Sequence, residues 1–115
     1  MGNLKRYGLA LDLVDDEDSI ATYIDYHKNV WPEILESILK SGIQQMEIYR
    51  AGNRLFMVME VDESFSFEKK QQADANSSKV QEWEELMWKY QQAIPTAKPG
   101  EKWVLMDKIF DLQTA

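Results

Sequence analysis

Residues 43–62, IQQMEIYRAGNRLFMVMEVD, decide the fold. Two apolar-rich segments, 43–50 and 54–62, flank Ala51-Gly52-Asn53, a short glycine-containing link of the kind that joins the strands of a hairpin. In the second segment Leu55, Met57, Met59 and Val61 share one face at period two, while Phe56 and Val58 occupy the other. An antiparallel sheet with helices on one side can leave its far side polar and wet, so this second apolar face needs a cover. A second copy of the chain using the same face is the economical cover, which predicts a homodimer.

Upstream, residues 5–14 (KRYGLALDLV) place Tyr7, Leu9, Leu11 and Leu13 on one face and Gly8, Ala10 and Asp12 on the other, the pattern of a strand. Asp15, Asp16, Glu17 and Asp18 then offer N-cap candidates and favourable charge for a helix running from Asp18 to about Ser41, with Gly42 as its terminating glycine. Pro32 lies inside that pattern. It cannot donate to the carbonyl of Lys28 and it disfavours the helical region for Trp31, so a kink or break should fall directly after His27.

Downstream, a helical region is expected over 65–75 and another over 78–93, where Ser78 and Gln81 have capping-box spacing and Pro95 closes the run. Pro99-Gly100 makes a turn, and residues 103–112 (WVLMDKIFDL) read as the last strand. The order is β-α-β-β-α-β with a split second helix, the α+β ferredoxin-like pattern. One domain spanning 1–115 is expected.

Composition narrows the function. A net charge of −7, from 20 acidic and 13 basic residues, argues against nucleic acid or an anionic membrane as partner. The absence of cysteine excludes disulfides, a thiolate nucleophile and Cys-based metal sites, and a single histidine excludes the usual multi-His metal sites. The N-terminus reads MGNLKRYG, without the apolar core of a signal peptide, and the longest apolar run is Leu55 to Met59. A cytoplasmic protein is the expectation, with no metal and no cofactor.

The lone histidine, His27, falls on the apolar stripe of the first helix with Ile20, Tyr23, Ile24, Val30 and Trp31. Because imidazole both takes and gives protons near neutrality, it is the candidate acid/base group, and Tyr23 lies one helical turn before it. On the last helix Val80, Trp83, Leu86, Met87, Tyr90 and Ile94 form the apolar stripe, and Trp88 falls roughly 130° away among polar residues. A tryptophan there asks for a ligand or a partner chain. Trp31, Trp83 and Trp103 read as core, and Glu84 and Glu85 as a solvated face.

The segment Tyr23-Ile-Asp-Tyr-His27-Lys-Asn-Val-Trp31-Pro32-Glu33 resembles the L-rhamnose mutarotase family, small proteins that interconvert the α and β pyranose anomers of a 6-deoxy-hexose. The resemblance continues through Leu39-Lys40-Ser41-Gly42, Ile48-Tyr49, Leu55-Phe56, Trp88-Lys89-Tyr90 and Pro95, nearly the whole chain in order. It implies a dimeric α+β barrel of ferredoxin-like subunits, no metal, and a cytoplasmic role in deoxy-sugar catabolism. It also implies His27 as the catalytic histidine, with Tyr23 and Trp88 contacting the sugar; beside these, Tyr23 is expected to orient the sugar or assist catalysis through its hydroxyl, and Trp31 to wall the pocket. Two positions depart from the family. Met87 stands for the first residue of a tandem tryptophan pair, and Met46 stands where the family has a site tyrosine. An altered hydroxyl-reading surface leaves the sugar as L-rhamnose first, with L-fucose as the alternative. A different class also fits the fold: a small monooxygenase, cofactor-independent or haem-binding, or a ligand-binding module.

Overall fold

The computed structural model describes residues 4–114. The chain runs β1 (Lys5–Leu13), α1 (Glu17–Tyr26), α2 (Pro32–Lys40), β2 (Ile43–Ala51), β3 (Arg54–Val61), α3 (Phe67–Ala75), α4 (Ser78–Trp88), β4 (Gln91–Gln92) and β5 (Val104–Leu105), with a final 3₁₀ turn over Leu112–Thr114. The strands form one antiparallel sheet in which β2 pairs β3, β3 pairs β1, and β4 and β5 share the outer edge of β1. The split β1-α-β2 unit with β3 inserted between its strands makes this the ferredoxin-like α+β arrangement.

The hairpin forms as its pattern requires, with a tighter link than the three residues expected. Ala51 pairs with Arg54, so Gly52 and Asn53 alone turn the chain, with Gly52 at φ 61°. Asn53 then locks the turn to β1: its carbonyl accepts from Leu13 N at 2.6 Å and its amide Nδ2 donates to Leu13 O at 3.0 Å. A register shift between Ile43 and Gln45 adds one residue to β2. This bulge sets Ile43, Met46 and Ile48 opposite Val61, Met59 and Met57, so all six share the helix-facing side. Leu9, Leu11 and Leu13 of β1 and Leu55, Met57, Met59 and Val61 of β3 are buried beneath the helices.

The other face of the sheet is partly apolar and open. Phe56 and Tyr49 stack with ring centroids 6.5 Å apart, and they are 39% and 54% exposed. Gly8 lies under the Phe56 ring, where an added Cβ would approach within 3.0 Å of it. Asp12, buried on this face, is held by Arg54 through two hydrogen bonds of 2.8 and 3.1 Å, and the two residues are register partners.

The long first helix divides, as the proline demands. α1 stops at Tyr26, and Pro32 opens α2 at a position where its missing N–H costs nothing. Trp31 before it is extended at ψ 136°. His27 is therefore the C-cap of α1 and no longer a mid-helix residue. Asp16 is the acid that caps α1, its side chain accepting from Ser19 N at 2.9 Å; this hydrogen bond holds its carboxyl below the usual range.

Three expectations need correction. Ser77 caps α4, accepting from Val80 N, and Gln81 reaches back to Asp74 O, so no Ser78/Gln81 capping box forms. α4 ends at Trp88 instead of near residue 93, because the outer edge of β1 draws the following residues into the sheet: Val14 N donates to Tyr90 O, and Gln91 and Gln92 pair with Leu13 and Asp12. The strand expected over 103–112 is only Val104–Leu105, continued by one bond from Met106 N to Gly8 O. Beyond it, β1 presents exposed Lys5 and Arg6, which offer no buried surface to reward further pairing, and Ile109 is left 96% exposed.

Gly42 ends α2 at φ 100°, and a Cβ there would lie 2.6 Å from both Asp62 Oδ1 and Ser64 Oγ. Gly42→Ala should therefore destabilise the fold by more than about 1 kcal/mol, read as a lowered thermal midpoint; an unchanged midpoint would contradict this account of the α2–β2 corner.

Candidate active site

Between the helix layer and the β2 end of the sheet lies a cavity of about 670 Å³, within the range of small-molecule sites. Its walls are mostly apolar: Val30, Ile34 and Ile38 from the α1–α2 region, Met46, Ile48 and Met57 from the sheet, and Trp83 and Met87 from α4. The polar groups that interrupt these walls are few. They include Tyr23 and His27 from α1, Gln44 and Gln45 at the bulge, Gln91 of β4, and Lys70, Glu84 and Lys102.

The break in the first helix sets the histidine. At the end of α1 the backbone tightens, with the N–H groups of His27, Lys28 and Asn29 bonding the carbonyls of Ile24, Asp25 and Tyr26. The carbonyl of Tyr23, one turn back, receives instead the His27 imidazole, Nδ1 to O at 2.8 Å. A carbonyl can only accept, so Nδ1 carries the proton of the neutral ring and Nε2 keeps its lone pair. The ring is held on two sides, with the Tyr23 ring centroid at 4.5 Å and the Trp83 ring edge-on at 5.7 Å.

Tyr23 is buried, and its hydroxyl accepts from Gln91 Nε2 at 3.1 Å. Burial pushes its phenol above the ordinary value, and the Gln91 bond opposes this only in part. The hydroxyl therefore stays protonated and has its own hydrogen to donate. Glu84 is half-buried, and its carboxyl is raised first by that burial and then by the charge of Asp74, with Lys102 and Lys70 pulling the other way.

Of the residues singled out in the sequence, Tyr23, His27, Met46 and Met87 meet at this cavity. Trp31 and Trp88 do not line it. Trp31 packs edge-on against Trp83 at 5.1 Å, with Lys79 Nζ 5.4 Å from its ring. Trp88 is 40% exposed and carries Lys102 Nζ 5.1 Å from its ring centroid, so it touches a cavity residue and not the cavity. Tyr26 packs against Trp83 and Tyr90.

Several wall residues escaped the sequence reading, Gln44, Gln45, Lys70 and Lys102 among them. Trp83 and Trp103 are core by pattern and present a side to the cavity as well, and Gln91 was placed in a helix that ends three residues earlier. Glu84 was assigned to a solvated face, although its i,i+3 relation to Met87 puts it beside the stripe. Among the described residues no group of three His, Cys, Asp or Glu side chains is placed to hold a metal, and no helix is long and apolar enough to cross a membrane.

The fold is thus a ferredoxin-like domain whose apolar cavity presents one oriented imidazole and one phenol hydroxyl, two groups able to exchange protons. Residues 6–112 match the L-rhamnose mutarotase family. An L-fucose mutarotase of Xanthomonas campestris pv. campestris is 42% identical over 98% of this chain and 92% of its own length. Among solved structures, an L-rhamnose mutarotase of Formosa agariphila superposes with a TM-score of 0.70 at 19% identity, covering 94% of this chain and 98% of that one. A dimeric ferredoxin-like protein from an uncultured marine organism does so at 0.54 and 14% identity, covering 96% and 93%. The chain belongs to the L-rhamnose mutarotase family. It is a sugar mutarotase, an isomerase.

Because folding favours the protonated Tyr23 phenol, the stability this contributes is fully present below the ordinary phenol pKa of about 10 and is lost as pH rises through the higher folded-state value. Tyr90 is also raised, by burial and by Tyr26 beside it, so alkaline absorbance titration should show two tyrosines ionising late, and Tyr23→Phe should reduce that late phase to one; a Tyr23→Phe titration with both late tyrosines intact would assign them elsewhere.

Proposed function

We propose that this domain, acting over 1–115 as one unit, interconverts the α and β pyranose anomers of a 6-deoxy-hexose with His27 as the proton carrier at O1. The observation that carries the reading is the bond from His27 Nδ1 to Tyr23 O, which leaves Nε2 as the basic nitrogen of a residue on the cavity wall. Nε2 removes the O1 proton, the ring opens as a second group protonates O5, the aldehyde turns about C1–C2, and closure from the other face returns both protons. General acid/base groups of this kind contribute about 10²–10⁴-fold.

Tyr23 donates its hydroxyl proton to a sugar hydroxyl, oriented by Gln91. Met46 and Met87 give the apolar side of the sugar a compliant wall. Trp31 supports the wall through Trp83, and Trp88 acts through Lys102. L-fucose moves ahead of L-rhamnose as the substrate, since the 42% identical relative is an L-fucose mutarotase and two methionines replace a tryptophan and a tyrosine of the family's site. The reaction suits a cytoplasmic protein of deoxy-sugar catabolism.

The working unit is a homodimer formed through the open sheet face. Phe56, Tyr49 and Met106 on or beside that face, and Ile109 and Phe110 beyond it, are exposed apolar groups of the kind a partner subunit covers. The dimeric ferredoxin-like neighbour supports this.

Saturation-transfer NMR on L-fucose and L-rhamnose should show anomer exchange accelerated by the wild type and reduced to the spontaneous rate by His27→Asn, with the fold kept. A His27→Asn variant at full activity would sink the assignment. Sedimentation equilibrium at micromolar concentration should give the mass of two chains, and Phe56→Asp should shift it to one; a monomeric wild type would remove the sheet face from consideration.

A further inference from the structure

Ring opening needs protons moved at two oxygens, O1 and O5, and the histidine accounts for one of them. Resting on the mutarotase reading above, we propose that Glu84 is the second proton carrier, delivering a proton to the ring oxygen O5 while His27 takes the proton of O1.

The cavity wall narrows the choice. Among the described residues Glu84 is the only carboxylate that lines the cavity. It shares that lining with His27, the imidazole coming from the end of α1 and the carboxyl from α4. The other protic groups there suit the step less well. Tyr23 has a hydrogen to donate in a hydrogen bond, but its phenol, raised by burial, is a weak acid at neutrality. Lys70 is paired with Asp74 at 2.6 Å, and Lys102 sits over the Trp88 ring.

The surroundings of Glu84 raise its carboxyl above the ordinary value, easing the protonated form. Burial and the charge of Asp74 on α3 favour the neutral form, Lys70 of α3 and Lys102 of the 93–103 loop favour the ion, and no hydrogen bond contributes to the balance. Such opposed influences suit a group that must give a proton and take it back.

The step balances without oxidation or reduction. His27 Nε2 takes the proton of O1, the O1 electron pair forms the C1 carbonyl, and the C1–O5 bonding pair goes to O5 as it receives the Glu84 proton. After rotation about C1–C2, the Glu84 carboxylate removes the O5 proton while O5 attacks C1, and the imidazolium returns its proton to O1. Both residues end in their starting forms.

The test is saturation-transfer NMR of anomer exchange across pH for wild type, Glu84→Gln and Glu84→Asp, with sugar affinity measured by titration and folding by thermal melting. Glu84→Gln, nearly isosteric, should lose at least about 10²-fold of the catalysed exchange while retaining sugar affinity. The wild-type rate should fall on the alkaline side as Glu84 ionises, and Glu84→Gln should lack that fall. Glu84→Asp, slower than wild type, should keep it. A Glu84→Gln variant as fast as wild type, or one whose loss lies entirely in sugar affinity, overturns the role of Glu84 and leaves the mutarotase reading standing. A wild type that accelerates no exchange overturns both.

Discussion

The site is organised by a hydrogen bond that cannot be made. Pro32 has no N–H to give the carbonyl of Lys28, and its ring pushes Trp31 out of the helical region. The helix therefore stops at Tyr26, the backbone closes with three-residue turns, and the Tyr23 carbonyl is taken by the imidazole of His27. A continuous helix would bond that carbonyl to the backbone N–H of His27 and leave the ring free to rotate. One missing donor thus sets the tautomer of the histidine, its orientation and its place at the mouth of a break between two helices. Pro32 then serves as the first residue of α2, where its fixed φ suits the new helix.

Much of this was legible in the sequence because it depends on local rules. The period of two in residues 5–13 and 54–61, the Gly52-Asn53 turn, the proline break and the terminating Gly42 all act within a few residues of themselves. The convergence of Tyr23 and His27 follows from helical spacing. What the sequence concealed depends on groups far apart in the chain. The end of α4 is decided by the free edge of β1, some eighty residues earlier, and no helical propensity in residues 89–93 reports it. Gln91 changes from a helix residue to the partner of the Tyr23 hydroxyl for that reason. Glu84 looks solvated in a run of acids because only the packing of α3 and the 93–103 loop against α4 gives it a half-buried setting. Trp88 lies off the stripe, a position that asks for a ligand or a partner chain, and the contact with Lys102 across its ring comes from a loop far along the chain.

The two faces of the sheet divide the labour. The helix side carries the cavity and most of the buried leucine, methionine and valine side chains. The open side carries Asp12 and Arg54 locked across the β1–β3 register, together with the aromatic pair of Tyr49 and Phe56. A bidentate pair fixes geometry better than it adds stability, since a charge withdrawn from water costs much of what its partner returns. Its placement opposite the Gly52-Asn53 turn pins the same end of β1 that Asn53 holds through its carbonyl and amide. The strand that carries most of the sheet is thus anchored at one end by polar groups and along its length by apolar ones.

The outer edge of β1 is a patchwork of two very short strands, β4 and β5, and the residues between them arch over the cavity carrying Lys102 and Trp103. Each foot of this arch rests on a few backbone bonds, such as Val14 N to Tyr90 O and Met106 N to Gly8 O, while β1, β2 and β3 are joined by long continuous ladders. The ladders do not depend on either foot, and the arch is held besides by Trp103, which packs against both apolar clusters of the core. The backbone bonds that seat this part of the cavity wall are thus distinct from the ladders that hold β1, β2 and β3 together, and the two are joined through the side chain of one tryptophan.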